Sequence, residues 1–439
     1  MKRTVFLFCI MIWAATVCRA QENGTINLGG FGRGSVYGGG KDYNIASAFS
    51  ELSLRVKAGK GAAFLESDIR FRTGVMYGQN DVTLDVRELY AGYKSRKFDI
   101  FLGNQIVVWG RTDGFNPTNN ITPQDYFFLS ADHDDQLQSN LMLRMNYRPV
   151  SGMKIEFIGI PFYKMSVYRF NLFQMGDFVH VGEDIIPEKK LKNGTLACRI
   201  DFDYPAIGGS ISFFNGYDPY HGYGVTSVEL TSGQPAINLA STAYRKTTVG
   251  ADISVPVSNW IIRAEAAYNK TDNPDNEMFI PNSDLSYVVG LETGIAGFTI
   301  IGQYIGKYTF DFSPLPDFSL MTPPSSTDFP GLIEYMNELI DYENRLFNRK
   351  IFNQQKKTNH AASLTVTRSF AYETLSAECT AYYNFTSKEL FIRPKLTWKI
   401  SDTLAAAAGG NYMYGEEKTM FSYSSSILNG AFVELKVSF

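Results

Sequence analysis

Cysteine is scarce in this chain, and so are long apolar runs and blocks of one charge. Of the four cysteines, Cys9 and Cys18 lie near the N-terminus, and Cys198 and Cys379 are far apart. That number is too small for a fold held by disulfides. Beyond the N-terminus no apolar stretch approaches 18 residues, which excludes transmembrane helices. The net charge of −3, without a basic block, gives no sign of nucleic-acid binding.

The N-terminus has the three-part pattern of a secretory signal peptide. Lys2 and Arg3 precede an apolar run, and Cys18 and Ala20 are the small residues before the expected cleavage site. We therefore expect residues 1–20 to be a signal peptide and residues 21–439 to form the mature protein. Acylation of Cys18 in a lipoprotein is the alternative, although the bulky Val17 before it fits that signal poorly.

What the chain has in abundance is alternation of apolar and polar residues with period two, the pattern of a β-strand. In 65–75 the residues Leu65, Ile69, Phe71 and Val75 share one face, and charged residues take the other. The segments 195–204 and 389–400 repeat the pattern. In all, 18 such segments recur, at 24–37, 45–58, 61–75, 80–94, 97–109, 138–148, 153–163, 194–204, 206–216, 244–256, 259–271, 283–295, 297–311, 358–370, 372–385, 388–400, 402–415 and 427–439.

A signal peptide with many long alternating strands predicts an all-β fold, an antiparallel up-and-down transmembrane β-barrel of about 18 strands, within a range of 16–18. Two packed soluble sheets would also alternate, but 18 long strands would make a very large sandwich. The connections alternate between short turns, expected in the periplasm, and long extracellular loops. We expect the protein in the outer membrane of a Gram-negative bacterium, in contact with lipid.

The chain ends in a regular strand, and that ending also indicates a barrel. In 431–439 the apolar Val433, Leu435, Val437 and Phe439 alternate with polar residues to the last position. Because lipid offers no hydrogen bonds, such a strand must pair with the first strand to close the sheet. A terminal Phe on an alternating strand also resembles the signal read by the barrel-assembly machinery, which we expect as a partner. Two irregularities are expected, a bulge near Arg87 and Glu88 and a kink at Pro394.

The most unusual stretch, 107–128, opens the first long loop. Its "Q-x-V-x-W-G" strand end, followed by Asn-Pro and Pro-x-Asp, resembles a family of porin-like bacterial outer-membrane β-barrels, mostly uncharacterised and near the alginate-export barrels. The end of the chain, 393–417 and 429–439, is also similar. The resemblance implies a passive channel without fixing its substrate. The residues that carry the motif are Gln105, Val107, Trp109, Gly110, Asn116, Pro117, Pro123 and Asp125.

Polar residues on the strands are expected to line an aqueous lumen, because barrels of this size enclose one. Mixed charge on that wall is typical of a general porin, although the charges could instead neutralise one another around a plugged lumen. Loop 110–137 could fold inward and narrow the channel at Arg111, Asp113 and Asp125, or it could be an ordinary external loop. The expected lining residues are Glu66, Asp68, Arg70, Arg72, Arg144, Asp201, Asp252, Arg263, Glu265, Arg393 and Lys395.

Two further segments have a bland and a functional interpretation. The acidic run around His133 (Asp132, Asp134 and Asp135) is expected to be solvated, with a metal site or an acid–histidine pair as the alternative. In 326–347 the period changes to that of a helix, capped by Asp328 with Pro330 in its first turn. This helix could cover the barrel mouth or pack on the loops. Leu332, Met336, Leu339, Ile340 and Leu346 form its expected apolar face.

The favoured function is passive diffusion of small hydrophilic solutes through the barrel, without enzymatic activity, cofactor or metal. Two other classes remain open. One is an outer-membrane hydrolase that uses loop residues, and the other is a structural or adhesion barrel with a blocked lumen.

Overall fold

The structure, a computed structural model, describes residues 24–40, 44–173, 179–231, 234–316, 324–325 and 327–439. The expected signal peptide and its cleavage site lie outside these residues. Among them, 18 strands form one closed antiparallel sheet, and three more form a small separate sheet. The strands are β1 (Thr25–Gly39), β2 (Asn44–Lys60), β3 (Ala63–Met76), β4 (Gln79–Lys94), β5 (Phe98–Gln105), β6 (Asn140–Tyr147), β7 (Met153–Ile160), β8 (Val179–Val181), β9 (Thr195–Tyr204), β10 (Ile207–Tyr217), β11 (Gly222–Thr231), β12 (Gln234–Thr242), β13 (Arg245–Val257), β14 (Trp260–Thr271), β15 (Asp284–Ile295), β16 (Phe298–Thr309), β17 (Thr358–Phe370), β18 (Leu375–Asn384), β19 (Glu389–Lys399), β20 (Leu404–Tyr414) and β21 (Gly430–Ser438).

The barrel closes where the last strand meets the first. β21 pairs antiparallel with β1, from Phe31 opposite Ser438 to Gly39 opposite Gly430. Beyond the strand end, the Gly30 N–H donates to the Phe439 carbonyl at 2.9 Å, and the Phe439 N–H donates to the Gly30 carbonyl at 3.0 Å. Every barrel strand corresponds to one of the 18 predicted segments. The predicted fold class, strand number and pairing of the C-terminal strand are therefore confirmed.

The outer surface of the barrel is apolar. Leu28, Val82 and Leu196 are each 70% exposed there. Exposed aromatic residues gather toward both ends, Tyr93, Phe98, Trp260, Trp398 and Phe439 at one end and Tyr268, Tyr304, Tyr383, Tyr412 and Tyr414 toward the other. An apolar band between two aromatic girdles is the surface of a barrel that stands in a bilayer. None of the helices in the described ranges is both long and apolar enough to cross a membrane.

Both expected irregularities are present. Asp68 pairs with Glu88 and Ile69 pairs with Val86, so Arg87 is the extra residue of a bulge between β3 and β4. The ladder between β19 and β20 is interrupted between Ile392 and Lys395, around Pro394, which has no N–H to donate. Cys198 and Cys379, which fall on the apolar side of their strands, are free thiols.

Short turns join the strands at one end, for example at 95–97, 258–259 and 296–297. The longest connections, 106–139, 161–194, 218–244 and 310–357, are all at the other end, called the mouth below. The alternation that the sequence predicts is therefore present, although three connections at the mouth, 40–43, 77–78 and 385–388, are also short.

An apolar cluster fills part of the mouth and is called the crown below. Its buried residues include Phe127, Phe170, Tyr223, Phe347 and Phe432, from four different connections and the barrel wall. The small sheet of β8, β11 and β12 and the helices α1 (Phe329–Ile351) and α2 (Met420–Leu428) lie around it. The crown therefore ties the long loops to one another instead of leaving them free above the barrel.

Helix α1 begins as the sequence predicts, because the Asp328 carboxylate accepts the Gly331 N–H at 3.1 Å. Its buried face differs from the predicted one. The C-terminal half packs on the crown through Phe347 and Ile351, while Met336 is 38% exposed. The Asn348 side chain also accepts the Tyr223 N–H at 2.8 Å and donates to the Tyr223 carbonyl at 2.7 Å. These bonds favour the second interpretation, a helix packed on the loops, and they fix where the crown sits over the barrel.

Candidate functional site

The long loop between β5 and β6, residues 106–139, lies inside the barrel and is called the inner loop below. Its residues contact side chains of β1, β3, β7, β13, β14, β18 and β19. These strands stand on different sides of the barrel, so the inner loop crosses the lumen. The hypothesis of an external loop is therefore replaced by that of a loop folded inward.

Glu265 of β14 holds the first part of the inner loop. Its carboxylate accepts the Thr118 N–H and hydroxyl, both at 2.8 Å, the Thr112 hydroxyl at 3.0 Å and the Arg111 N–H at 3.1 Å. Glu265 is only 2% exposed, so these bonds replace its hydration shell. Gly110 allows the close approach: it has a φ of +104°, and a Cβ there would lie 2.6 Å from Oε2 of Glu265.

Asp135 holds the last part of the inner loop against the opposite wall. Its two carboxylate oxygens pair with Nη1 of Arg33 at 2.5 Å and Nη1 of Arg70 at 2.7 Å. Glu51 lies beside the same guanidinium groups, 2.8 Å from Arg33. Burial alone would raise the pKa of Asp135, but the charges of Arg33 and Arg70 hold it well below its usual range. Asp135 therefore stays ionised at any physiological pH.

Trp109, which precedes both anchored parts along the chain, fixes the point where the inner loop leaves the wall. Its Nε1–H donates to Glu156 of β7 at 2.9 Å, and Glu156 also accepts from Nε of Arg144 at 2.5 Å. Trp109 is 1% exposed and packs with Ile121 and Met142 in an apolar cluster. The tryptophan of the sequence motif therefore positions the loop and is closed to solvent.

Arg111 and Asp113, two of the three expected constriction residues, lie against the wall formed by β13 and β14. Nε of Arg111 donates to Asp252 at 2.8 Å, and Oδ2 of Asp113 lies 3.0 Å from Nη1 of Arg263, which also pairs with Glu292. The side chain of Asp113 is 49% exposed to the lumen. The third residue, Asp125, lies toward the mouth instead and pairs with Arg169 of the next long loop at 3.4 Å. Burial raises the pKa of Asp125, and the charge of Arg169 opposes that shift.

The other expected lining residues lie on the inner face of the wall, and most of them are paired. The pairs are Glu66 with Lys57 (2.7 Å), Asp68 with Arg70 (3.2 Å), Arg72 with Asp81 (2.8 Å), Asp201 with Arg199 (3.0 Å) and Lys395 with Glu378 (3.4 Å). Arg393 donates to the inner-loop carbonyls of Ser130 and Ala131 at 2.8 and 3.0 Å. The wall therefore presents few unpaired cations to a solute.

The acidic run around His133 also lies inside the barrel. Asp132, His133 and Asp134 are exposed to the lumen, whereas Asp135 is the anchor described above. Within the ranges that the structure describes, no group of three His, Cys, Asp or Glu side chains could hold a metal ion.

Sequence reasoning missed Arg33, Glu51 and Glu156 as residues that hold the loop. Glu156 follows the alternation of β7 and could have been assigned inward. The inward orientation of Arg33 is harder to predict. Gly30, Gly32 and Gly34 lie around it in β1, so the alternation of apolar and polar residues is lost there. The pairing of Arg33 with a residue 102 positions away has no local signal at all.

A cavity of about 370 Å³ remains between the inner loop, the crown and the wall of β13–β18. Phe115 of the inner loop stacks on Tyr382 of β18 at its edge, with ring centroids 5.1 Å apart. Its polar lining includes seven amide side chains, among them Asn116, Asn119 and Asn269. Tyr244, Ile351 and Phe352 of the crown also line the cavity, which therefore lies directly beside the crown.

No protein-family model matches this chain, and no curated protein matches it by sequence. The fold is similar to that of solved outer-membrane porins of the Occ group. OccK3 (OpdO) of Pseudomonas aeruginosa has a TM-score of 0.54 at 9% identity, over 94% of this chain and 95% of that chain. OccAB3 of Acinetobacter baumannii has a TM-score of 0.54 at 10% identity, over 94% of this chain and 98% of that one. OccK2 (OpdF) of Pseudomonas aeruginosa, solved in complex with glucuronate, has a TM-score of 0.52 at 8% identity, over 95% and 97% of the two chains. The similarity extends to the fold, and the resemblance to alginate-export barrels remains a prediction from sequence motifs.

Proposed function

We propose that this protein is an outer-membrane channel through which small hydrophilic solutes diffuse passively, with the inner loop as its constriction. The observation that carries the proposal is the combination of an apolar outer surface with a polar lumen that a fixed loop narrows. A barrel of 16–18 strands leaves an aqueous channel unless side chains or loops fill it. The fold shared with Occ porins supports the same function.

The proposed route enters through the cavity and passes the inner loop near Asp113. Asp113 and Gly114 are exposed inner-loop residues next to Arg263, whereas Thr112 and Thr118 are buried against Glu265. A solute that passes there meets the negative charge of Asp113 on the inner loop and the positive charge of Arg263 on the wall. Crossed charges of this kind orient dipolar solutes and disfavour apolar ones.

Two other observations argue against the two other function classes. A hydrolase would need a nucleophile beside its base, but His221 and His360 bond the hydroxyl groups of Tyr223 and Tyr304 instead of a serine. A blocked structural barrel would need the space along β13–β18 to be filled, and the cavity lies there.

The test is conductance of the purified full chain in planar bilayers, with swelling of liposomes in sugars and amino acids of increasing mass. We expect stepwise channels and a swelling rate that falls with solute size. Heat-unfolded protein is the control for both measurements. A folded barrel that gives neither current nor swelling would refute the channel and favour the blocked barrel.

Cysteine modification locates the route. In a background with Cys198→Ser and Cys379→Ser, Asp113→Cys should react with a charged thiol reagent in water and lower the single-channel current. Val82→Cys on the apolar outer surface is the matched control, because lipid should shield it from the same reagent. A current that stays constant after proven modification at position 113 would move the route away from the inner loop.

A further inference from the structure

We infer that the cavity at the mouth is a binding site for neutral saccharides, a conclusion that rests on the proposed channel function and names its preferred solute class. The cavity, about 370 Å³, falls within the size range of small-molecule sites. Its position above the inner loop means that a solute would occupy it before reaching the constriction.

The charges of the cavity are balanced, which is the first argument. Four of its lining residues are charged, and they form two pairs. Nζ of Lys246 lies 2.7 Å from Oδ2 of Asp218, and Nζ of Lys307 lies 3.6 Å from Oδ2 of Asp284. A bound carboxylate would need a cation without such a partner, since an ionised group loses its hydration on entering the cavity. Anionic solutes are therefore disfavoured.

The second argument is the hydrogen-bonding capacity of the amides. Oδ1 of Asn119 accepts the Trp109 N–H at 3.4 Å, and its Nδ2 group makes no hydrogen bond to the part of the chain that the structure describes. The Asn116 amide lies 2.8 Å from Oγ1 of Thr112, whose single proton goes to Glu265. One end of each amide is therefore available to a solute with many hydroxyl groups, as a saccharide has.

Aromatic rings supply the third argument. Phe115, Tyr126, Tyr220 and Tyr382 are partly exposed residues of the cavity lining. Phe115 and Tyr382 are stacked at 22°, and Tyr126 meets Tyr220 edge to face with centroids 5.8 Å apart. Amphipathic rings next to amides suit the two faces of a sugar ring, its C–H face and its hydroxyl rim. Neutral, amide-rich and aromatic together describe a site for an uncharged polyol and not for a salt.

The test compares three probes of similar size on the full chain: glucose as neutral saccharide, glucuronate as anion and glycylglycine as zwitterion. Each is added to the loop side of single channels, and its binding is also measured by calorimetry in detergent. We expect glucose to block the current at a concentration about tenfold lower than glucuronate or glycylglycine, a difference in binding free energy of about 1.4 kcal/mol.

Asp284→Asn tests the charge argument directly. It removes the carboxylate that pairs with Lys307, and the side-chain oxygen of the new amide can still accept the hydrogen bond from Asn269. The blocking concentration of glucuronate should fall about tenfold, while that of glucose changes little. Glu378→Gln is the matched control: it removes a carboxylate from the Lys395 pair, outside the cavity, and should leave the order of the probes unchanged.

The outcomes separate the two proposals. Channels that conduct but are blocked best by glucuronate, or by none of the probes, would overturn the saccharide site and leave the channel standing. A barrel that never conducts would refute the channel, and calorimetry would then decide the site, since glucose binding would support it and no binding would overturn it.

Discussion

Removing the carboxylate of Glu265 should release the inner loop without unfolding the barrel. In Glu265→Ala the Thr118 and Arg111 N–H groups lose their acceptor, and each unsatisfied buried donor costs about 1–3 kcal/mol. The attached loop should therefore lose about 2–6 kcal/mol relative to a detached one. Since about 1.4 kcal/mol is a tenfold change, the ratio of attached to detached loop falls by a factor of about 30 at least. Strand β14 keeps its backbone pairing with β13 and β15, so closure of the barrel is unaffected.

The assay is single-channel recording of Glu265→Ala beside Glu378→Gln, which removes a wall carboxylate that does not touch the inner loop. We expect larger and noisier currents for Glu265→Ala and wild-type currents for the control. Gly110→Ala should reproduce the effect from the loop side, because its Cβ would meet the Glu265 carboxylate at 2.6 Å. Wild-type conductance and noise in a folded Glu265→Ala channel would refute the reasoning that Glu265 holds the constriction.

Three further predictions concern stability and assembly. Burial lowers the pKa of His221 to about 4, below its unfolded value of about 6.5, so crown stability should be full above pH 6.5 and fall toward pH 4; faster hydrogen exchange in β11 at low pH, absent in His221→Gln, would show it. Deleting Phe439 removes two backbone bonds to Gly30 and should reduce the heat-modifiable folded barrel in outer membranes; normal accumulation would contradict the closing role. Cys379→Arg should cost about 2–4 kcal/mol of folding free energy near the bilayer midplane, measured by urea titration in vesicles against Cys379→Ser, and an equal stability of the two would place position 379 away from lipid.

The barrel was predictable because its signal is local and repeated. Alternation along 65–75 assigns every side chain to lipid or lumen, and a one-residue slip would turn all of them over. The bulge at Arg87 was readable for the same reason, since the phase of β4 flips there. The apolar face of helix α1 was predicted less well, because the helix joins the crown through Phe347 and Ile351 of its C-terminal half, while Met336 is 38% exposed.

The candidate site was predictable only in part. The motif around Trp109 marks where the inner loop begins, and Arg111 and Asp113 lie on that loop against β13 and β14. Their role in a constriction stays a prediction. The contacts that hold the inner loop in place could not be predicted, because Asp135 pairs with Arg33 and Arg70, which are far away in sequence. The cavity has no sequence signal either: its lining comes from the inner loop, the crown and six strands, and no spacing along the chain connects them.

The inner loop is anchored at two places, Asp135 on the wall of β1–β3 and Glu265 on β14, while most of the cavity wall belongs to β15–β18. The residues that hold the loop and those that line the cavity therefore overlap only at β13 and β14. Substitutions at Asp284, Lys307 or Tyr382 can change which solutes are favoured while the anchors, the closing seam and the girdles stay as they are. Such a barrel can acquire a new permeability through substitutions in the cavity wall alone. A bacterium with several copies could then diversify its uptake while the barrel itself stays the same.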